Sequence, residues 1–231
     1  MKKEKKEEAF PWKKVVVVAV GVLFVAMMII SAMGMSWLQS FRTVRVNDSV
    51  TIDFTLWDAG GGPVLTSDTA LYQAALSRGY LSFLAEPLTV RAGYIGSPAY
   101  TGVQAENYYV SQSGEAIRFG ILGQELDELD AAVLGMKAGD KKTVNFLFSD
   151  PLLITLKENE YTAMGGNFTR AGIGDLVPIG ISENPIIRED DFQTTPQNSV
   201  LRIAVIVNKT ADALEVQHRY PSADIMVRTL Q

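Results

Sequence analysis

From Val50 to Trp57 the chain alternates, with Val50, Ile52, Phe54 and Leu56 on one side and Thr51, Asp53, Thr55 and Trp57 on the other. That period of two predicts a strand with one buried face. Asp58-Ala59-Gly60-Gly61-Gly62-Pro63 follows as its hairpin turn. Ser67 or Asp68 then caps a helix through Ser77, with Leu71, Ala75 and Leu76 inward and Gly79 ending it. Phe119 to Phe148 predicts a strand, a short acidic helix, a Gly-Asp turn and a returning strand. Leu126, Leu129, Val133 and Met136 recur at helical steps, so a helix over 125–136 lays its apolar side across a sheet. Glu125, Asp127, Glu128 and Asp130 fall on its other face and first turns, where acid suits the macrodipole and the side chains are expected to be solvated. Val144, Phe146 and Phe148 alternate again, as do Leu201, Ile203, Val205 and Val207, then Leu214, Val216 and His218, then Ile225 and Val227. The stretch containing Tyr80, Phe83, Tyr94, Tyr100, Tyr108 and Tyr109 is either a structural loop with extra strands or a peptide-binding surface. From Asp150 to Ser199 the pattern loosens around Pro151, Gly165-Gly166, Pro178, Pro185 and Pro196.

One run has no polar side. Val15 to Leu38 is 24 residues without a charge. At about 1.5 Å per helical residue it exceeds the roughly 30 Å of a bilayer's hydrocarbon. Six lysines against three glutamates precede it, and Arg42 and Arg45 are the first charges after it. Lysine asymmetry then keeps residues 1–14 in the cytoplasm and places the remainder outside, a single-pass protein of the cell membrane. Trp12 and Trp37 stand at the two ends, where amphipathic rings prefer the interface. The competing expectation is a cleaved signal peptide, for which Ala32-Met33-Gly34 offers a small-residue site, although the apolar run is longer than a signal core of about 7 to 15 residues.

Composition narrows the chemistry. The 231 residues contain no cysteine, which removes disulfides, thiol catalysis and Cys-ligated zinc. The chain is −5 overall and its first fourteen residues are +3, so the rest stands at −8 and is a poor fit for nucleic acid. The basic tail suits anionic lipid headgroups. His218, the one histidine, reads as a strand residue rather than a ligand. Glu189-Asp190-Asp191 lacks the spaced loop of a calcium site. No cofactor or metal is expected. Asn47-Asp48-Ser49, Asn167-Phe168-Thr169 and Asn208-Lys209-Thr210 are glycosylation triplets, each weak evidence alone.

Three segments resemble the FKBP-type peptidyl-prolyl isomerases, and within them the SlyD-like branch. AAVLGMKAGDKKTV (131–144) is similar to the family's helix end, Gly turn and returning strand. VTIDFTLWDAGGGPVLTSD (50–68) is similar to its first long strand, hairpin and following strand, and LEVQHRYPSADIMVRTL (214–230) to the closing strands of the insert-in-flap branch. The resemblance covers about a third of the chain. It implies an α+β fold: an antiparallel half-barrel sheet wrapped on a short helix, with a β-rich insert in the flap, following one transmembrane helix. The implied parts are a tail (1–14), the span (15–38), a stem (39–49), an FKBP-like domain (50–149 and 214–231) and the insert (150–213).

Rotating a prolyl bond needs no nucleophile or metal. The barrier of about 18–20 kcal/mol comes from amide resonance, and a dry apolar bowl with one or two donors stabilises the twisted state. Position by position, the resemblance puts Phe54 at the family's strand tyrosine, Leu65 and Thr66 at its Phe-Asp pair with Asp68 as a substitute carboxylate, Phe119 at a pocket aromatic and Leu126 and Leu129 on the floor. The flap motif is absent and Tyr161 is its stand-in. The same apolar residues also suit the plain core of any sheet-plus-helix domain. The implied function is a membrane-anchored extracytoplasmic isomerase and chaperone with weakened catalysis, acting on proline-containing or unfolded segments of exported proteins. The alternative is a non-catalytic FKBP-fold subunit of a membrane complex.

Overall fold

The computed structural model describes residues 12–33, 42–107, 116–148, 151–182 and 199–230. It divides into two compact units, Met1–Arg42 and Thr43–Gln231. The first contains helix α1 (Trp12–Met33), whose side chains from Val15 to Ile30 are apolar and exposed on every face. Among the described residues no helix is long and apolar enough to cross a membrane. The described side chains of the uncharged run end at Ser31, and residues 34–38 of that run lie outside the described set.

The second unit is α+β: a curled, half-barrel mixed sheet with three helices. Its frame is β1 (Ser49–Trp57), whose Val50, Ile52, Phe54 and Leu56 are buried as the alternation predicts. The Asp58 carboxylate closes the turn that follows, accepting from the Gly62 N–H at 2.7 Å, and Gly61 takes the left-handed conformation that the turn needs. Next come β2 (Pro63–Thr66), helix α2 (Thr69–Ser77), β3 (Phe83–Ala85), β4 (Leu88–Arg91), β5 (Tyr100–Glu106) and β6 (Ile117–Leu122). Asp68 caps α2, accepting from the N–H groups of Ala70 and Leu71 at 2.8 and 3.1 Å. The α2 face turned inward carries Tyr72 and Ala75. The aromatic stretch therefore carries three strands, which take in Phe83 and Tyr100 but not Tyr80 or Tyr94, and Tyr108 and Tyr109 lie outside the described residues.

Helix α3 (Gly123–Ala132) and β7 (Lys141–Asn145) complete the predicted unit; the helix begins two residues earlier than expected and ends at Ala132, with Val133 as its C-cap, four residues before the expected end. Then follow β8 (Leu153–Lys157), α4 (Glu158–Ala163), β9 (Leu176–Ser182), β10 (Ser199–Lys209), β11 (Ala213–Gln217) and β12 (Ser222–Leu230). The sheet runs β7-β12-β1-β2-β3-β5-β6-β10-β11-β8, with β4 also on β1 and β9 on β10. The expected all-antiparallel sheet is corrected to a mixed one, because β2 lies parallel to β3 and β10 meets β6 in parallel at Leu201 and Phe119. Both parallel contacts follow from connections long enough to cross over, through α2 in one case and through residues 123–198 in the other.

Two apolar cores result. The larger lies under α3 and includes Ile52, Phe54, Leu56, Leu65, Phe83, Phe119, Leu129, Val133, Ile203 and Ile225. The smaller joins Phe168, Ala171, Val177, Ile179, Ala204, Ile206, Leu214 and Val216, all from residues 153–217. Lys209 fastens its loop: the ammonium donates to the carbonyls of Phe168 and Ala171 at 2.6 and 2.8 Å and lies over the Phe168 ring.

Leu129 is the point where α3 enters the larger core, fully buried. Leu129→Ala is expected to cost about 2–5 kcal/mol in urea unfolding of this domain, because the helix cannot sink far enough to close the void. A loss below about 0.5 kcal/mol, the range of an exposed site, would contradict that placement.

Candidate functional site

The strongest concentration of chemistry is built around a residue that the hydrophobic pattern hides. Alternation in β10 marks Leu201, Ile203, Val205 and Val207 as the apolar series, but the more deeply buried side is the other one, formed by Val200, Arg202, Ala204 and Ile206. Arg202 and Glu125 are both 0% exposed, and they meet in a two-pronged ion pair. Arg202 Nη1 and Nη2 donate to Glu125 Oε2 and Oε1 at 2.9 and 2.7 Å. Nη1 also donates to the Gly120 carbonyl at 2.7 Å, and Nη2 and Nε to the His218 carbonyl at 2.6 and 3.2 Å. All five N–H groups are thereby satisfied.

Local backbone geometry makes this possible. Glu125 sits in the first turn of α3, where its carboxylate also accepts from the Leu122 N–H at 2.8 Å and faces the positive end of the helix dipole. Gly120 lets β10 come close: a Cβ there would stand 2.6 Å from Val200 Cγ2. Gly123 likewise lets the helix start against the Pro98 carbonyl, and its N–H donates to Ala99 O at 2.9 Å. The expected solvated acidic face is therefore corrected. Glu125 and Asp130 are buried, while Asp127 and Glu128 are half-buried, because acids in α3 accept from backbone N–H groups of neighbouring segments. Asp127 takes Gly96 and Ser97, Glu128 takes Leu147, and Asp130 takes Arg91 at 3.0 Å.

Tyr220 closes the cluster. Its ring lies 4.3 Å from the Arg202 guanidinium carbon and 6.4 Å from the ring of Phe119, while its hydroxyl donates to the Ile203 carbonyl and accepts from the Ile203 N–H. Burial pushes its pKa up to about 12 despite the neighbouring cation. Burial works against the charged form of Arg202, but the Glu125 carboxylate outweighs it and holds the guanidinium above its ordinary pKa.

The residues of the expected prolyl pocket divide. Phe54, Leu65, Phe119 and Leu129 share the larger core, with Leu126 partly buried against it. Leu65, Phe119 and Leu129 have no exposed surface. Thr66 is buried beside them, its hydroxyl 2.7 Å from that of Thr55 and accepting from the Asp68 N–H at 3.0 Å. Asp68 is occupied as the α2 cap. Tyr161 is elsewhere, packed on the second core with its ring against Gly166. A surface cleft of about 460 Å³ reaches Phe54 and Asp68 from the other side of β1, lined also by Asp53, Trp57, Lys141, Asp224 and Met226. Its carboxylates are engaged: Asp224 accepts from Trp57 Nε1 and the Thr143 hydroxyl, and Asp53 from Arg228 Nε. Glu189-Asp190-Asp191 lies outside the described residues, among which no cluster suited to a metal ion occurs.

The chain matches no protein-family model and no curated protein.

Arg202 could have been suspected only from its sign, a lone cation inside an apolar strand paired with an acid at a helix start. Arg202→Met should cost about 3–5 kcal/mol in thermal or urea unfolding, since it strands the Glu125 carboxylate in a dry site. Adding Glu125→Leu should recover most of that loss; a double variant as unstable as the single would show that the charge is not the cause.

Asp130 generates a pH dependence. Burial raises its pKa to about 6, partly opposed by the Arg91 N–H and reinforced by the Asp127 carboxylate. The folded state thus prefers the protonated acid, and this contribution to stability is full below pH about 4 and lost as pH rises through 6. Asp130→Asn keeps an acceptor for Arg91 without the charge. It should be more stable than the parent at pH 7 by of order 1–3 kcal/mol, with the gap closing toward pH 4. A gap that widens in acid would refute the sign.

Proposed function

We propose that the chain is a single-span membrane protein whose outer FKBP-like domain serves as a non-catalytic subunit of a membrane complex. The observation that carries this reading is the closure of the expected bowl: Leu65, Phe119 and Leu129 are 0% exposed, with Tyr220 and the Arg202–Glu125 pair packed beside Phe119. A prolyl ring must leave water for an apolar concavity if its amide is to twist there. Side chains with no exposed surface offer it no entry. The donors that would stabilise the twisted carbonyl are also spent, since the Tyr220 hydroxyl and every Arg202 N–H already have protein partners.

Three observations support the anchor. The 24-residue uncharged run exceeds the roughly 20 residues a span requires, lysines crowd its N-terminal side, and the α1 side chains from Val15 to Ile30 are apolar on every face, as those of a helix surrounded by lipid are. That polarity of charge supports an extracytoplasmic position for residues 39–231.

A second reading, the holding of unfolded or proline-containing segments, is favoured by one feature. Leu153, Met164, Ile173 and Val207, all within 150–213, keep large apolar side chains exposed.

The deciding experiment is a prolyl-isomerisation assay with the full chain in detergent, paired with purification from native membranes. The expected outcome is no acceleration over buffer and co-purification with other membrane subunits in fixed stoichiometry. Clear acceleration returns the domain to the isomerases. Suppression of a client's aggregation that disappears in Met164→Asp/Ile173→Asp would instead establish the holding reading.

A further inference from the structure

Exposed apolar side chains on the second unit are mostly scattered, but one group is contiguous. Val46 and Leu134 flank Gly93, where a Cβ would lie 3.5 Å from Val46 Cγ1 and 3.4 Å from Leu134 Cδ1. Tyr94 and Ile95 follow Gly93 directly in the chain and are exposed. Ile95 is 80% exposed, Val46 61%, Tyr94 40% and Leu134 39%. The patch is rigid rather than a loose loop. Asn47 N–H donates to Ala92 O at 2.8 Å, Gly93 N–H to Asp130 O at 2.8 Å, and Gly135 N–H to Val44 O at 2.9 Å.

Exposed Arg45, Arg91 and Lys137 lie within three residues of it along the chain. The neighbouring carboxylates are turned to backbone groups: Asp48 accepts from the Arg45 N–H, Asp140 from the Lys137 N–H, Asp127 from Gly96 and Ser97, and Asp130 from Arg91. The Arg91 guanidinium lies 5.5 Å from the centre of the Tyr94 ring, so a cation and an amphipathic aromatic stand together at the rim.

Chain length limits how far Thr43 can stand from the end of the uncharged run. Thr43, which bridges to Lys137, is five residues beyond Leu38, the last residue of the uncharged run. Five residues reach at most about 18 Å when fully extended. The headgroup layer on each side of the hydrocarbon takes up roughly 5–8 Å of that. Given the span proposed above, we infer that the Val46–Tyr94–Ile95–Leu134 face rests on the bilayer surface, with its apolar side chains at headgroup depth and Arg45, Arg91 and Lys137 toward lipid phosphates. Bilayer contact supplies what an isolated apolar patch of this kind lacks in water, and the cationic rim suits an anionic leaflet.

The chain contains no cysteine, so Ile95→Cys and Ile173→Cys each accept a single environment-sensitive fluorophore. Ile173 is 71% exposed and lies on the loop of the second core, which makes it the reference. The full chain is reconstituted into vesicles of phosphatidylcholine and phosphatidylglycerol carrying a shallow nitroxide quencher. The expected result is blue-shifted emission at position 95 and quenching several-fold stronger there than at 173. Equal quenching at the two positions, or none at 95 in a chain that floats with the vesicles, overturns the inference and leaves the span standing. A chain that does not float overturns both. Protection of position 95 in native membranes but not in lipid alone assigns the face to a protein subunit and overturns the lipid assignment.

Discussion

The contact on which the second unit depends is the buried pair of Arg202 and Glu125. It joins three pieces of chain distant in sequence: the β6–α3 segment through Gly120 and Glu125, β10 through Arg202, and the His218 carbonyl after β11. Hydrocarbon side chains could fill the same volume, often at no loss of stability. They could not fix the same register. Five N–H donors aimed at two carboxylate oxygens and two carbonyls define both the sliding of β10 along β6 and the depth of α3, where a single parallel pairing between Leu201 and Phe119 would leave the strands loosely specified.

This placement also couples the two cores. Ile203 belongs to the larger one, Ala204 and Ile206 to the smaller, and Arg202 stands beside the junction. From Val200 to Ile206 the strand leaves no side chain exposed, so the cation within that stretch, Arg202, has to be neutralised inside. The residue before it, Leu201, and the one after Ile203 contribute on opposite faces within a few ångströms of backbone. Disturbance in β10 therefore propagates to both cores, and with no disulfide in the chain nothing covalent limits it.

Much of the framework could be read from period and punctuation. Val50 to Trp57, the Asp58 turn, the Asp68 cap and the Leu129 stripe all appear where the spacing put them, because each depends on residues within a few positions. What failed to show were long-range pairings. Glu125 looks like a solvated helix-start acid until β10 arrives 77 residues later, and Arg202 looks like the polar member of an alternating strand until both faces are covered. The mixed character of the sheet was hidden for the same reason, since strand direction is decided by how far the crossover runs rather than by any local signal. Of the pocket residues expected from the resemblance, the apolar ones meet in one core, whereas Tyr161 joins the other and Asp68 is spent on a helix.

The proposed loss of catalysis follows from how the same residues are used. An isomerase has to keep an apolar concavity dry but open, which leaves good burial area uncovered in the resting protein and costs stability at about 25 cal/mol for each Å² left wet. Here Phe119 is packed between Phe83 and Tyr220, and Tyr220 is held by the backbone of Ile203 and by the Arg202 cation. Opening that stack would expose three aromatic rings and bring water to a paired charge that now relies on a dry surround. The penalty falls on the element that also sets the register of β10, so the bowl cannot open by a side-chain rotation alone. A domain built this way has a fixed shape and no exposed surface at Leu65, Phe119 or Leu129, which supports the proposed docking role over prolyl rotation.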